Sequence, residues 1–507
     1  MNQLTRIIVC SMLLSLCGML ILSCTNNNPC NDGTGIFWPG EKKVYKAINS
    51  AIAGQSMITW NTGEHTTGMV PLGAVGPSKY TSRLSGIMQN TAMQDVFRNA
   101  IADGVNVILV IGDGMSVSHL TLPVYMNRCL GKGKTAFEQV TSSGVTGLCM
   151  TTTHTHLQTD SAAAGTAIAT GHKTLVGMLG MDYRGRKVES ILDFTHSMGR
   201  PTGLITDTMI TEATPAAFYA NVEDRGSHAE IASQLAGEYT ITVLMGGGAR
   251  YFIPSGTRVK AYSQFQSMPD ILDAPSGRSD KRNLLTLFEK KGYHILSHES
   301  QLLKAGKKRQ KVLGLFSGTH MNSAIDRDDE NTGEPSIPLM TETAISILKR
   351  HGNGFFLMVE CGKLDEDGHF NDAGAVLKAL YEMDHVLERC LRFYRKDPSG
   401  TLLVFTADHG TGGIDITYSR GTGNKPSATL ESGYEWSVDK QLLGKKEFTS
   451  LMKQSKSYEK ILSGAGNWKD FRERFNSYTP YTLDTRDARH IFSLYESIHS
   501  VRTNGDY

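Results

Sequence analysis

The chain has 507 residues, 40% hydrophobic and 20% charged, with 52 glycines, 15 prolines and a formal net charge of +2. That length suits one large domain with an insertion or several ordinary ones, and the composition is that of a globular, loop-rich protein. It excludes a disordered chain, and a charge balance so near neutral points away from nucleic acid or an acidic polymer as partner.

Arg6 precedes an almost purely apolar stretch, Ile7 to Leu22, followed by Ser23 and Cys24. This resembles a bacterial lipoprotein signal, with residues 1–23 removed, lipid on the Cys24 thiol and a polar tether from Thr25 to Pro29. The protein is then exported, as a periplasmic or cell-envelope lipoprotein attached to the membrane through lipidated Cys24; a short uncleaved anchor and a plain secretory signal are the alternatives. Residues 24–100 read as tether and N-terminal extension, with weak helical patterns such as Ser85 to Ala102 and no function of their own. Among Cys30, Cys129, Cys149, Cys361 and Cys390 there is no CxxC pair, so thiolate zinc ligation is not expected and no disulfide pairing follows.

At Val105 the pattern sharpens. The run from Val105 to Ile111 is apolar at every position but Asn106, as in a strand buried on both faces, and stops at Asp113-Gly114-Met115. The same grammar recurs at Thr202 to Thr206, leading to Glu212 and Thr214, at Ile241 to Leu244, at Phe355 to Val359, ending on Glu360, and at Leu402 to Thr406, ending on Asp408-His409. Helical patterns alternate with these runs at Val188 to His196, Ile337 to Leu348 and Ala373 to Phe393. Such alternation predicts a mostly parallel sheet covered by helices on both faces, with ligands beyond the carboxyl ends of the strands. Residues 101–413 read as the catalytic domain and 414–507 as an insertion or cap, with helical patches near Lys446, Trp468 and Thr485.

The acids and imidazoles fall at those strand ends. Asp113, Glu212, Glu360, Asp365 and Asp408 could not all stay ionised side by side without cations, since like charges a few ångströms apart raise proton affinity. With His369 and His409 they form donor sets that suit Zn²⁺, or Mg²⁺ where carboxylates and a hydroxyl combine. Between the strands, TDSAAAGTAIATG at 159–171 places Ser161 behind an acid at the start of a slim helix, where free N–H groups and the helix dipole favour an oxyanion. Taken alone, Asp160-Ser161 is an ordinary helix start.

The motifs IGDGMS at 111–116, TDSAAAGTAIATG at 159–171, EATPAAFYANVEDR at 212–225, MGGGARYF at 245–252, FFLMVECGKLDEDGH at 355–369 and TADHGTGG at 406–413 occur in the order seen in alkaline phosphatases, which the chain resembles from about Val105 to Gly413. The resemblance implies a three-layer α/β/α sandwich and a broad phosphomonoester hydrolase that works through a phosphoserine at Ser161. It implies that Arg225 grips phosphate, that Asp113, Asp408 and His409 hold one zinc, and that Asp365 and His369 hold another. Asp113, Thr214 and Glu360 would hold magnesium, with Glu212 where the family usually has Asp or His beside that site. Small phosphomonoesters as substrates, and homodimers, follow from the same resemblance.

The family completes its second zinc with a histidine from a His-Thr-Gly stretch near the C-terminus. After His409 only His490 and His499 remain, both in or beside a helical pattern. The expectation is therefore a chain ending before the family's last strand, with one zinc site lacking a ligand. A catalytically impaired phosphate- or metal-binding lipoprotein is the alternative to an active phosphatase, and a phosphodiesterase or sulfatase of the same superfamily is a third reading.

Overall fold

Val107, Ile108, Leu109, Val110 and Ile111 have no exposed surface, and this five-residue run lies at the centre of the molecule because only a strand covered on both faces can be apolar at every position. The computed structural model describes residues 41–53, 55–307, 311–330, 332–352, 354–417 and 445–503. The signal-like segment, Cys24, Cys30 and the tether lie outside the described residues, as do residues 418–444.

Ten strands form the central sheet: β1 (Val70–Val75), β2 (Gly86–Gln89), β3 (Asn106–Gly112), β4 (Val145–Met150), β5 (Thr202–Met209), β6 (Val243–Gly247), β7 (Tyr293–Leu296), β8 (Lys311–Leu315), β9 (Phe356–Cys361) and β10 (Thr401–Thr406). Their order across the sheet is β2-β4-β1-β10-β3-β9-β5-β6-β8-β7. All neighbours run parallel except at β1, which is antiparallel to both β4 and β10. Helices Ala136–Ser143, Ile337–Lys349 and Ala373–Tyr394 pack together on one face, and Ala92–Ala102, Ser161–Thr170 and Ile191–Ser197 on the other. The result is the three-layer α/β/α sandwich with a mostly parallel sheet that the strand-helix alternation predicts.

The extension expected at residues 24–100 differs in the structure from a separate appendage. Every residue of β1 is buried, and the strand lies inside the sheet between β4 and β10. Helix Ala92–Ala102 covers the sheet and connects to β3 through Asp103, Gly104 and Val105, with Gly104 at φ +82° making the turn. A boundary at residue 100 thus cuts through one continuous core. The reason it was not legible is local: VPLGAV is a short apolar run broken by Pro71 and Gly73, and Gly73 is small because the Phe405 ring of β10 occupies the space a side chain would need.

Residues 445–503 form helices, among them Tyr458–Ser463, Trp468–Tyr478 and Thr485–Thr503, and the last of these packs against Glu41–Ile52. Among the described residues no disulfide occurs and Cys129, Cys149, Cys361 and Cys390 are buried; no described helix is long and apolar enough to cross a membrane.

Leu72 of β1 has no exposed surface. Leu72→Ala is expected to lower global stability by about 2–5 kcal/mol in chemical denaturation, whereas an independent extension would leave the main unfolding transition in place.

Candidate active site

The chemistry-bearing residues converge at the carboxyl ends of four adjacent strands, β10, β3, β9 and β5. Asp113 follows β3, Glu360 ends β9, Asp408 and His409 follow β10, and Glu212 and Thr214 follow β5. Gly114, at φ +70°, turns the chain away directly after Asp113, and a side chain there would meet the Asp365 carboxylate at 2.6 Å and Thr411 at 2.8 Å. A register shift in β5 between Ile205 and Met209 brings Thr206 and Thr208 to Glu360, whose Oε2 accepts hydrogen bonds from their hydroxyls at 2.5 and 3.3 Å.

Ser161 opens the helix Ser161–Thr170, every residue of which is buried. Asp160 caps it by accepting from Ala163 N–H at 3.1 Å, and its other oxygen accepts from Gly177 N–H at 3.1 Å and Arg225 Nη1 at 3.2 Å. Gly165 lets the helix approach the turn at Ala213–Ala216, since a methyl group there would lie 3.0 Å from Ala217. Ser161 Oγ sits 3.1 Å from His409 Nε2, which also lies 3.2 Å from Asp408 and 3.5 Å from Asp113.

Two groups of side chains have the spacing of metal ligands: Asp113, Asp365 and His409, and His65, Asp365 and His369, each with its donor atoms within 4.8 Å of one another. Asp365 belongs to both. His65 is absent from the sequence candidates, yet its ring stacks on His409 at 3.7 Å between centroids. Its Nδ1–H donates to the Thr159 carbonyl at 2.9 Å, and the His369 Nδ1–H donates to the Gly63 carbonyl at 2.7 Å, which turns Nε2 of each ring toward Asp365, at 4.0 and 3.3 Å. The signal for it is Glu64-His65-Thr66-Thr67-Gly68, a near His-Thr-Gly stretch that lies upstream of the nucleophile, whereas the family's stretch lies near the C-terminus.

The donor set fits divalent cations. Nε2 of His65, Oδ1 of Asp113 and Oδ2 of Asp408 are buried with no hydrogen-bond partner, a costly state unless an ion completes them. Burial first, and then Asp408, Asp365 and Glu360, push the Asp113 carboxyl well above the usual range. Burial likewise raises Asp408 to about 7 and Glu360 to about 8. Burial also acts upward on Asp365, but His369, His409 and His65 outweigh it and hold this carboxylate well below the usual range. Oxygen donors of Asp113, Glu360 and Thr214, whose hydroxyl lies 3.2 Å from Asp113, make a set suited to magnesium, while the histidine-bearing groups suit zinc.

Glu212 is in neither of the two metal-type groups but lines the same small cleft as Asp113, Thr214 and Glu360. Its carboxylate lies 3.5 Å from Arg225 Nη2, 3.4 Å from His320 and 3.8 Å from His228. Burial pushes its proton affinity up, but His320, His228 and Arg225 prevail and keep it ionised. His320 bridges onward to Glu366 at 2.8 Å, and Glu366 is also paired with Lys363. Against the cost of its burial, Glu366 and Glu212 raise the imidazole of His320 to about 10, so the ring is cationic at neutral pH. Neither His320 nor Glu366 carried a sequence signal, because Glu366 lies inside the acidic run DED and His320 in an unremarked loop. Arg225 is thereby gripped on both sides, by Asp160 and Glu212, and lines the same small cleft as Ser161, Asp113, Thr214, Glu360 and Asp365.

The profile of the alkaline phosphatase family matches residues 105–473. The chain belongs to the alkaline phosphatase family. It is 33% identical over 355 residues to alkaline phosphatase 4 of Bacillus subtilis, covering 69% of this chain and 70% of that protein. To alkaline phosphatase 3 of the same species it is 32% identical over 358 residues, with 69% and 70% covered. Among solved structures it is similar to Thermus thermophilus alkaline phosphatase, at 28% identity and a TM-score of 0.62 over 76% of this chain and 73% of that one. The clustered carboxylates and histidines are a bimetal-type centre of the kind this superfamily of hydrolases uses.

Without cations, the raised carboxyls of Asp113, Asp408 and Glu360 make the folded state bind protons that the unfolded chain, with carboxyls near about 4, releases. Their contribution is complete below that value and is lost as pH rises through about 7 to 8, the folded values of Asp408 and Glu360. Stripping metal is therefore expected to lower Tm more at pH 9 than at pH 6, as read by calorimetry of metal-loaded and chelator-treated protein.

Proposed function

We propose that the protein is an exported, metal-dependent phosphomonoester hydrolase that acts through a phosphoserine at Ser161. The observation that carries this reading is the buried Ser161 hydroxyl at a helix N-terminus, 3.1 Å from His409 and in one cleft with Arg225 and the carboxylates of the metal-type groups.

The Arg225 guanidinium, anchored by Asp160 and Glu212, presents a planar fork to two phosphoryl oxygens. Ser161 Oγ attacks phosphorus in line, the new P–O bond forming as the bond to the alcohol breaks. The free N–H groups of the first helical turn stabilise the charge that gathers on the equatorial oxygens. Water then cleaves the phosphoserine, releasing phosphate and restoring the Ser161 hydroxyl. Bound divalent cations, held by Asp113, Asp408, His409, Asp365 and His369, with magnesium on Asp113, Thr214 and Glu360, would supply positive charge for the serine alkoxide and the departing alcohol oxygen. Because recognition centres on the phosphoryl group, the range of alcohols is broad. The same reading holds that residues 1–23 are a signal and that Cys24 carries lipid, and it includes homodimerisation on family resemblance alone. The second reading, a phosphate- or metal-binding protein without catalysis, requires a gap beside Asp365 and His369, and the presence of His65 beside both supports the hydrolase instead.

Hydrolysis of a chromogenic phosphomonoester at alkaline pH, with zinc and magnesium added, is expected from the chain beginning at Thr25. Ser161→Ala should reduce kcat by at least about 10³-fold; equal rates in both proteins would rule the reading out. Arg225→Ala, which removes charge-assisted hydrogen bonds worth about 1.5–3 kcal/mol, should lower kcat/KM by roughly 10- to 100-fold, with inorganic phosphate inhibiting correspondingly less.

A further inference from the structure

We propose that the second metal site is completed by His65, carried on a segment, residues 57–104, that stands ahead of the nucleophile in this chain although the family's order places its counterpart after it; this rests on the reading of the site as a metal-dependent hydrolase. The first support is the histidine itself. His65 is 8% exposed, its Nε2 has no hydrogen-bond partner, and its Nδ1–H is committed to the carbonyl of Thr159, two residues before Ser161. A neutral ring whose free nitrogen points at a carboxylate already shared with a second imidazole is a ligand awaiting a cation.

The second support is how the segment is tied in. Ile58–Trp60 pairs antiparallel with Ile414–Ile416, and His65–Thr66 with Gly410–Thr411, immediately after His409. Gly63 O holds the His369 ring, and Glu64 O accepts from Gly412 N–H at 3.0 Å. From there the chain enters the sheet as β1 and ends in a helix joined to β3 through residues 103–105. This segment builds the site and the core, yet the family profile begins only at residue 105 and the Bacillus relative is matched over 70% of its length. A comparison that runs in chain order cannot pair a segment whose place in that order has changed. Such a transposition needs its ends to lie close in space. Helix Glu41–Ile52, which leads into the segment, packs against Thr485–Thr503, so the segment could follow residue 503 as readily as it precedes residue 105.

Zinc content decides the matter without reference to turnover. His65→Asn keeps a donor for the Thr159 carbonyl but has no second nitrogen. After dialysis it is expected to hold one zinc equivalent fewer than the unsubstituted full chain, with zinc affinity at that site lower by more than about 100-fold, beyond the ~10- to 100-fold cost of losing an outer supporting partner. His490→Ala and His499→Ala should keep full zinc content. Wild-type zinc content and affinity in folded His65→Asn would overturn the assignment. Should His65→Asn misfold, His65→Asp, which restores a ligand atom, must fold and rebind the missing equivalent. A reordered chain that begins at residue 105 and carries residues 41–104 behind residue 503 through a Gly/Ser linker should fold and bind as much zinc as the parent; failure to fold, or one equivalent fewer, would overturn the transposition. Because no substrate enters these measurements, a phosphatase assay that fails leaves their outcome readable, and the converse also holds.

Discussion

Negative charge buried in one place is the constraint on which this structure depends. Asp113, Glu360, Asp365 and Asp408 are each less than a tenth exposed, and they meet where four parallel strands end. In a medium of low dielectric such a group is tenable only with protons, imidazoles or cations among the carboxylates. The architecture answers with His65, His369 and His409 inside the cluster and Arg225 and His320 at its rim. Asp365 has three histidines around it and stays ionised, while Asp113, Asp408 and Glu360, less well matched, are the groups whose proton affinity climbs.

The fold supplies the rigidity that this arrangement needs. The apolar strands β3, β5, β9 and β10 are covered on both faces, so the residues just past their ends are held by packed backbone on the side away from the cleft. Steric exclusion does the fine placement: Gly114 has no room for a side chain beside Asp365 and Thr411, and Gly165 admits the helix bearing Ser161 to the turn after β5. Electrostatic anchoring finishes it, with Asp160 capping that helix by one oxygen and holding Arg225 by the other. Nucleophile and phosphate-binding arginine are thus positioned by one carboxylate.

Much of this was legible in the sequence because the signals are local. An apolar run that stops at an acid marks both a buried strand and the edge where ligands bind, which is how Asp113, Glu360 and Asp408-His409 could be read. Asp365 and His369 are one helical turn apart, and Ser161 follows a capping acid ahead of small residues. His65, His320 and Glu366 escaped for the opposite reason. Each acquires its role from groups distant in the chain, His65 from Thr159 and Asp365, His320 from Glu212 and Glu366. β1 escaped too, since Pro71 and Gly73 interrupt its pattern and its pairing partners lie at residues 145–149 and 403–405.

By itself the sequence determined the kind of sheet, the family and the residues whose chemistry is announced by a short motif, because periodicity, capping and strand-end acids act over a few residues. Only the tertiary structure decided that the segment ahead of residue 105 is core, that Glu212 pairs with Arg225 and His320, and that a histidine upstream of the nucleophile meets Asp365 and His369. A strand's neighbours and a charge's counter-charges are chosen by packing in three dimensions, and packing takes no account of the order in which the chain supplies them.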